Sequence, residues 1–188
     1  MPRSAVPPST FETDRLVVRL YSQHDAAFVV DMYGRREVLQ FLGTSATVLR
    51  SLKQASAAID RWRAVSDPNP LLGFWAVTLK TGEPVGTVLL KRAPLSASER
   101  PLALSSDLEV GWHLHPDQWG RGFATEAAAG ALRRAFDSGV DEVIAIILPA
   151  NERSKLVAGR LGMRYAGMTD RYYSLNAEIY RANRRDSP

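Results

Sequence analysis

The residues best suited to chemistry lie in the stretch EVGWHLHPDQWGRGFATEAAAGALRRAF, residues 109–136. An alternating apolar run ends at a His-Pro pair, and Gly120 and Gly122 then precede an alanine-rich segment with helical spacing. Glycines leave backbone N–H groups accessible, and the first amides of a helix have no intrahelical partner. Such amides favour phosphate oxygens, and Arg121 adds a charge that can pair with one. The alternative is a tight strand-to-helix turn in which the glycines serve only the backbone.

Two common phosphate-binding motifs fit this stretch poorly. A Walker loop needs Gly-Lys-Ser/Thr after the second glycine, whereas the residues here are Phe123, Ala124 and Thr125. A dinucleotide fingerprint would read GRGFAT as G-x-G-x-x-T and would place a ribose-binding acid near Glu142. That fingerprint also needs a strand that opens a βαβαβ unit, but most predicted strands precede the glycines in hairpin-like runs.

The composition limits the class of protein. A chain of 188 residues with 45% apolar and 23% charged residues is typical of one globular domain. The start MPRSAVPPST lacks the hydrophobic centre of a signal peptide and no long apolar span occurs, which predicts a cytoplasmic protein without a membrane partner. The absence of cysteine excludes thiolate chemistry, and the three histidines predict no metal site. The net charge of +4 is spread along the chain apart from RANRR at 181–185, so nucleic acid is not an expected partner.

The elements that must position the glycine turn predict a mixed α/β domain. We expect a disordered leader at 1–10, a single domain at 11–181 and a basic tail at 182–188. The predicted strands are 11–21, 72–80, 83–92, 107–114, 142–148 and a final pair within 163–182, with a hairpin at Thr81-Gly82 and a loop at 93–106. The predicted helices are 22–34 with Ser22 and Asp25 as a capping pair, about 48–65, 122–138 and 151–161. The order β-α-α-β-β-β-α-β-α-β-β predicts a mixed sheet with helices on its faces.

Two of these elements have clearly separated faces. The strand before the turn places on one face Leu108, Val110, Trp112 and Leu114, and on the other Glu109, Gly111 and His113. The helix after the turn gathers on one side Ala127, Ala128, Ala131, Leu132 and Ala135, opposite Glu126, Arg133 and Asp137. The sequence therefore predicts an amphipathic helix packed on the sheet.

Residues 109–165 resemble the core of the GNAT N-acetyltransferases, whose signature is Gln/Arg-x-x-Gly-x-Gly/Ala. The six positions here are Trp119, Gly120, Arg121, Gly122, Phe123 and Ala124, with Trp119 in place of the usual Gln or Arg. HPDQWGRGFATEA is similar to the branch that acetylates ribosomal protein N-termini, and RLVVRLY with REVLQFLG early and PANERSKLVAGRLGMR late also agree. The resemblance implies the acyl-CoA N-acyltransferase fold, a mixed and largely antiparallel central sheet flanked by helices.

The resemblance also implies acetyl-CoA as co-substrate, no metal, and direct transfer to a primary amine. A protein N-terminal α-amine is the favoured acceptor; the alternatives are a small-molecule amine (amino sugar, polyamine or antibiotic) and an acyl-CoA sensor without turnover. The implied cofactor-binding residues are Trp112, His113 and Leu114 for the pantetheine arm, Trp119, Gly120, Arg121, Gly122, Phe123, Ala124 and Thr125 at the pyrophosphate, and Asn151 after the fifth strand. For Asn151 a helix N-cap is an equal interpretation, and both can hold.

Acetyl transfer needs a base for the amine and an acid for the leaving thiolate. Glu109 is the candidate base, beside Gly111, whose missing side chain leaves room for the thioester; a structural ion pair is the alternative. Ser154 matches the branch's serine in N151-x-x-S154 and is the candidate acid, or an ordinary helix serine. His113 shares the face of Glu109 and could titrate near neutrality, or be simply packed. A strand N–H near Trp112 is the candidate oxyanion donor.

The acceptor pocket is expected from the first two helices with GRREVLQFLG at 34–43, the loop at 93–106 and the final strands. Arg35 and Arg36 either meet an acidic group of the acceptor or form a solvated helix end. Trp62, Trp75 and Tyr165 are expected in the core. A protein acceptor predicts an open groove, and a small one a closed pocket near Arg35 and Trp75. The sequence leaves the oligomeric state open, with a homodimer as one alternative.

Overall fold

The structure is a computed structural model that describes residues 10–43, 48–96 and 103–186. The strands are β1 Phe11–Glu12, β2 Leu16–Leu20, β3 Gly73–Leu79, β4 Pro84–Pro94, β5 Leu104–Leu114, β6 Glu142–Ile147, β7 Arg164–Thr169 and β8 Ala177–Asn183. The helices are α1 Ala26–Gly34, α2 Arg36–Leu39, α3 Leu52–Ser66, α4 Phe123–Asp137 and α5 Glu152–Arg160. In this part of the chain no helix combines the length and the apolar character needed to cross a membrane.

The strands form one sheet in the order β1-β2-β3-β4-β5-β6-β8-β7. All neighbours run antiparallel except β5 and β6, which confirms the mixed, largely antiparallel sheet. β4 and β5 stay paired as far as Gly86 and Leu114, whereas β5 and β6 pair only at Glu109 and Ile144. Beyond Glu109, β5 and β6 diverge, so one edge of β5 is left without a strand partner.

Helices cover both faces of the sheet. On β3, Trp75 and Val77 point to the face covered by α4, while Ala76 between them packs in the cluster formed by α1 and α3. The predicted apolar stripe of α4 is buried against the sheet, as its spacing requires. Burial of apolar surface stabilises the folded state by about 25 cal/mol per Å². The buried stripe therefore holds α4 against the sheet, next to β5. The end of β5 and the first turn of α4 therefore have defined relative positions.

Several predicted boundaries differ from the structure for local reasons. The strand expected at 11–21 is two short strands, because the backbone turns at Thr13, whose N–H donates to the Leu16 carbonyl at 2.9 Å. The second helix begins at Leu52, since the hydroxyl of Ser51 accepts the N–H of Gln54 at 3.3 Å and caps it there. The short helix α2 was not predicted. Strands β4 and β5 extend into the loop predicted at 93–106, of which 97–102 lie outside the described residues.

Other predictions are confirmed or corrected at single residues. The Asp25 carboxylate accepts the N–H of Ser22 at 2.8 Å, which confirms the capping pair. Trp75 is buried as expected, but the prediction for Tyr165 is wrong, since that residue lies on edge strand β7 and is 57% exposed. Strand β8 continues to Asn183, and Arg184 after it pairs with Asp141 at 2.8 Å. The predicted leader falls, up to residue 9, outside the described residues.

Candidate active site

The divergence of β5 and β6 opens a cavity of about 810 Å³. Its walls are the free edge of β5, the facing residues 145–147 of β6 with Leu148 after them, the first turn of α4, the inner side of α5, and side chains from α1, α2 and α3. Protein ligand cavities usually measure about 300–1,000 Å³, so this one can hold a cofactor-sized molecule.

The glycine turn ends at the cavity with its amides unused. Gly120 and Gly122 have φ values of 77° and 81°, a left-handed conformation that favours glycine. Within the described chain, no acceptor lies in hydrogen-bond contact with the N–H groups from Gly120 to Thr125. The hydroxyl oxygen of Thr125 is buried and likewise has no partner among these residues. A buried polar atom beside free helix amides indicates a missing polar ligand.

Arg15 holds this turn from outside the cavity. Its guanidinium donates to the Arg121 carbonyl at 3.0 Å and forms an ion pair with Glu126 at 2.6 Å. Burial opposes ionisation of Glu126, but hydrogen bonds from Thr13 and Arg15 outweigh it and lower the pKa of the carboxyl. The guanidinium groups of Arg15 and Arg121 both lie over the Phe123 ring, at 4.8 and 4.9 Å from its centre. The first turn of α4 is thus fixed by partners that leave its amides free.

Trp119, which departs from the family signature, links β5 to α5. Its indole N–H donates to the Leu114 carbonyl at 2.9 Å, and the Arg153 guanidinium lies 4.4 Å from its ring centre. Trp119 and Arg153 both line the cavity. Arg121 instead donates to the Gln118 side chain at 2.5 Å and is not part of the cavity wall. The cation that lines the cavity next to the turn is therefore Arg153 of α5, a residue that no sequence motif indicated.

The last residues of β5, which the resemblance assigns to the pantetheine arm, lie at the cavity. Trp112, His113 and Leu114 line the cavity and pair on one side with β4. Their other edge faces β6 across the gap. An extended amide chain placed there would continue the sheet, since strand edges pair with such groups.

Asn151 and Ser154 meet at the start of α5. The Asn151 side-chain oxygen accepts the N–H of Ser154 at 3.1 Å, so the N-cap interpretation of Asn151 is confirmed. Both residues line the cavity, and the Ser154 hydroxyl makes no hydrogen bond within the described chain. Ser154 is therefore free to donate to a group in the cavity.

Glu109 belongs to a buried cluster of three polar side chains. Lys91, its neighbour across the sheet, lies 3.0 Å from the Glu109 carboxylate, and the Tyr173 hydroxyl donates to the same oxygen. Lys91 also contacts the Tyr173 hydroxyl. Burial and the charge of Glu109 raise the pKa of Tyr173 well above its usual value. These contacts favour the structural ion pair for Glu109, and Tyr173, which comes from the β7–β8 connection, was missed by the sequence.

His113 packs between Tyr33 and the cavity. Its Nδ1 lies 2.9 Å from the Tyr33 hydroxyl of α1, and its ring lines the cavity. Burial, assisted by the nearby Lys91 charge, lowers the pKa of His113 to about 4. Of the two alternatives for His113, the structure favours packing over titration near neutrality, because burial disfavours the charged imidazolium.

The expected acceptor residues are only partly in place. Trp62 is partly buried against the core cluster of α1 and α3 and also lines the cavity, stacked on Phe74 with ring centres 5.6 Å apart. Arg35 pairs with Asp31 at 2.9 Å on the helix surface, which supports the solvated helix end. Neither Arg35, Arg36 nor Trp75 lines the cavity. Gly111 lines the cavity, and the Leu89 side chain lies 3.1 Å from the position that a Cβ at Gly111 would take, so a larger residue there would press against Leu89.

Comparison with known proteins identifies the family. Residues 15–164 match the model of the acetyltransferase (GNAT) domain. The chain belongs to the GNAT acetyltransferases. It is 24% identical, over 92% of both chains, to the uncharacterised N-acetyltransferase YoaA of Bacillus subtilis.

Solved structures of GNAT proteins share the fold. The ribosomal-protein-S5-alanine acetyltransferase from Vibrio fischeri superposes with a TM-score of 0.72 at 17% identity, over 95% of this chain and 98% of that one. RimJ of Mycobacterium smegmatis, in complex with CoA-disulfide, gives 0.74 at 17% identity, over 92% of this chain and 84% of that one. At these identities the likeness establishes the fold.

GNAT acetyltransferases use acetyl-CoA as the acetyl donor, and the residues present fit it. Free amides and the buried Thr125 hydroxyl suit the diphosphate, and the open edge of β5 suits the amides of the pantetheine arm. Within residues 10–43, 48–96 and 103–186, no three His, Asp or Glu side chains converge as a metal site would need.

The Thr125→Val variant should lose acetyl-CoA affinity without losing folding stability. We expect Thr125→Val to leave the free energy of unfolding unchanged or slightly higher, since the buried hydroxyl has no partner to lose. Acetyl-CoA binding should weaken by about 10- to 100-fold, because a hydrogen bond to a charged oxygen contributes about 1.5–3 kcal/mol. Urea unfolding and calorimetric titration with acetyl-CoA measure the two effects. Unchanged affinity would place the phosphates elsewhere.

Proposed function

We propose that this protein transfers acetyl from acetyl-CoA to the N-terminal α-amine of a protein. The observation that carries the proposal is the cleft between β5 and β6, with free α4 amides on one side and an apolar wall on the other. The apolar wall consists of Val38, Leu39, Phe41, Leu42, Leu49, Trp62 and Phe74. A peptide N-terminus presents one amine and a small side chain, which such a wall accommodates.

The charges of the cavity argue against the small-molecule amines. A polyamine carries several ammonium groups, yet the described lining contains only the carboxylates Glu37 and Glu109, and Glu109 is already paired with Lys91. An amino sugar needs many hydrogen-bond partners, which the apolar wall lacks. The closed pocket that a small acceptor predicts near Arg35 and Trp75 does not form part of this cavity.

The ribosomal-protein acetyltransferases among the structural neighbours support the same acceptor. One is named for acetylating an alanine of a ribosomal protein, and its fold superposes over nearly all of both chains. The glycine turn with Trp119 is the form common in that branch. In this proposal Ser154 protonates the leaving thiolate, and an N–H of β5 near Trp112 stabilises the oxyanion.

An acceptor panel tests the proposal. Peptides beginning with alanine, serine and methionine, together with spermidine, glucosamine and an aminoglycoside, are incubated with acetyl-CoA, and released thiol is measured. We expect transfer to at least one peptide and none to the small amines. Peptides with acetylated N-termini serve as controls that lack the reactive amine. Transfer to a small amine alone would overturn the acceptor class, and acetyl-CoA binding without any transfer would indicate a sensor.

The Ser154→Ala variant tests whether Ser154 is the general acid that protonates the leaving thiolate. We expect kcat to fall about 100-fold, within the range of a general acid, while KM for acetyl-CoA is retained. Ser138→Ala, which alters the end of α4 outside the cavity wall, is the matched control. Initial rates of thiol release measure both. A Ser154 variant as fast as the control would show that the thiolate takes its proton from another donor.

A further inference from the structure

A chain of hydrogen bonds runs beneath the cavity wall and ends at His113. The Tyr21 hydroxyl contacts the Gly86 carbonyl at 3.2 Å and the Thr87 hydroxyl at 2.7 Å. Thr87 in turn contacts the Tyr33 hydroxyl at 2.9 Å, and Tyr33 contacts Nδ1 of His113 at 2.9 Å. Tyr21, Thr87 and Tyr33 are buried. Nε2 of His113 has no hydrogen-bond partner among the described residues, and the ring lines the cavity.

The number of hydrogens in this chain decides the tautomer of His113. Four contacts need four hydrogens, the three hydroxyl groups supply three, and the Gly86 carbonyl can only accept. Every contact is filled only when Tyr21 donates to Gly86, Thr87 to Tyr21, and Tyr33 to Thr87. The contact between Tyr33 and His113 then takes its hydrogen from Nδ1. The other tautomer leaves the 3.2 Å contact of Tyr21 with the Gly86 carbonyl without a hydrogen, so it makes one hydrogen bond fewer, which costs about 0.5–1.5 kcal/mol.

The Nδ1–H tautomer leaves a lone pair on Nε2, next to the cavity. The surroundings keep the ring neutral, because burial and the Lys91 charge hold its pKa near 4. Tyr33 and Thr87 face the ring as neutral groups. Glu109, the other titratable group on this face of β5, is held as a carboxylate by its ion pair with Lys91 and accepts the Tyr173 hydroxyl on the same oxygen. His113 is the neutral group on this face, and its Nε2 lone pair has no hydrogen-bond partner within the described chain.

We propose that Nε2 of His113 is the general base for the acceptor amine, with Tyr33 as its positioning residue. This inference rests on the proposed function. The amine nitrogen forms a bond to the thioester carbonyl carbon while Nε2 takes a proton from that nitrogen. The carbon–sulfur bond breaks, its electron pair leaves with sulfur, and the thiolate takes a proton from Ser154, which is reprotonated by water. The imidazolium returns its proton to water, so one amide and one thiol result.

Nitrogen NMR of protein labelled with ¹⁵N-histidine tests the tautomer without turnover. We expect the His113 ring to carry its proton on Nδ1 and to remain neutral from pH 8 to about 5. His113→Gln assigns the signal, since the chain has three histidines. Tyr33→Phe removes the Nδ1 acceptor and should shift the ring toward the Nε2–H tautomer. An Nε2–H ring in the wild-type protein, or an imidazolium at pH 7, would overturn the inference.

Kinetics test the base role with the peptide that the acceptor panel identifies. We expect His113→Gln to lower kcat about 100-fold and to change KM for acetyl-CoA by less than about twofold. Imidazole added to His113→Ala should restore part of the rate. His24→Gln, at an exposed position before α1, is the control with unchanged rate.

The outcomes separate the two proposals. If the wild-type protein acetylates a peptide and His113→Gln is as fast, the base assignment is wrong and the proposed function stands. If the wild-type protein acetylates no acceptor, the proposed function is wrong and the base assignment falls with it. If His113→Gln fails to fold, the tautomer and the kcat of the Tyr33→Phe variant test the base assignment instead. A Tyr33→Phe variant that has the Nε2–H tautomer and still reacts at the wild-type rate would contradict the role of Nε2 as base.

Discussion

Gly120→Asp is expected to weaken acetyl-CoA binding by at least about 100-fold, because a carboxylate would enter the space beside free helix amides meant for phosphate. Nothing lies within 4 Å of a Cβ placed at Gly120, so the aspartate side chain fits without displacing protein atoms. The positive φ of 77° adds a backbone cost of about 1–2 kcal/mol. Calorimetric titration with acetyl-CoA and urea unfolding measure affinity and stability separately.

Gly82→Asp is the matched control for this experiment. Gly82 lies in the β3–β4 turn, has a φ of 93°, and also has nothing within 4 Å of an added Cβ. Both variants should therefore lose a similar free energy of unfolding, while only Gly120→Asp should lose affinity. Gly120→Ala carries the backbone cost without the charge and should retain most of the binding. Equal affinities for the two aspartate variants would show that the turn does not hold the phosphates.

Lys91→Met should have the largest effect on stability. It leaves Glu109 buried without its cation, and breaking a buried pair in this way costs about 3–5 kcal/mol. Adding Glu109→Gln to Lys91→Met should recover much of the loss, because the uncompensated charge is then removed. Urea unfolding monitored by tryptophan fluorescence gives the free energies.

Arg35→Met provides the comparison for Lys91→Met. The ion pair of Arg35 with Asp31 is exposed, so its loss should cost less than about 1 kcal/mol. If Lys91→Met cost no more than Arg35→Met, the cluster around Glu109 would not be a structural unit. Glu109 would then again be a candidate base, in competition with His113.

The local pattern of the sequence was sufficient for most elements. Alternation placed Val110 and Leu114 on one face of β5 and Glu109 and His113 on the other, because side chains alternate across a strand. The apolar stripe of α4 and the glycine turn before it were also predicted correctly, since helix periodicity and left-handed glycine positions depend on neighbouring residues. The family signature around this turn led to the GNAT acetyltransferases despite the tryptophan at its first position.

The partners of the candidate catalytic groups could not be predicted from local sequence. Glu109 and His113 share a strand face, but their partners Tyr173 and Tyr33 come from the β7–β8 connection and from α1. No spacing in the sequence indicates these contacts. They nevertheless favour the structural ion pair for Glu109, and they favour packing over titration near neutrality for His113.

By itself, the sequence determined the order of elements, the faces of β5 and α4, and the turn whose amides are free. Only the tertiary structure decided where β5 and β6 separate, which residues line the resulting cavity, and which polar groups remain unpartnered in it. The physical reason is the range of the interactions involved. Backbone conformation and amphipathic spacing are set by residues a few positions apart, whereas hydrogen-bond partners and burial are set by segments that folding brings together from distant parts of the chain.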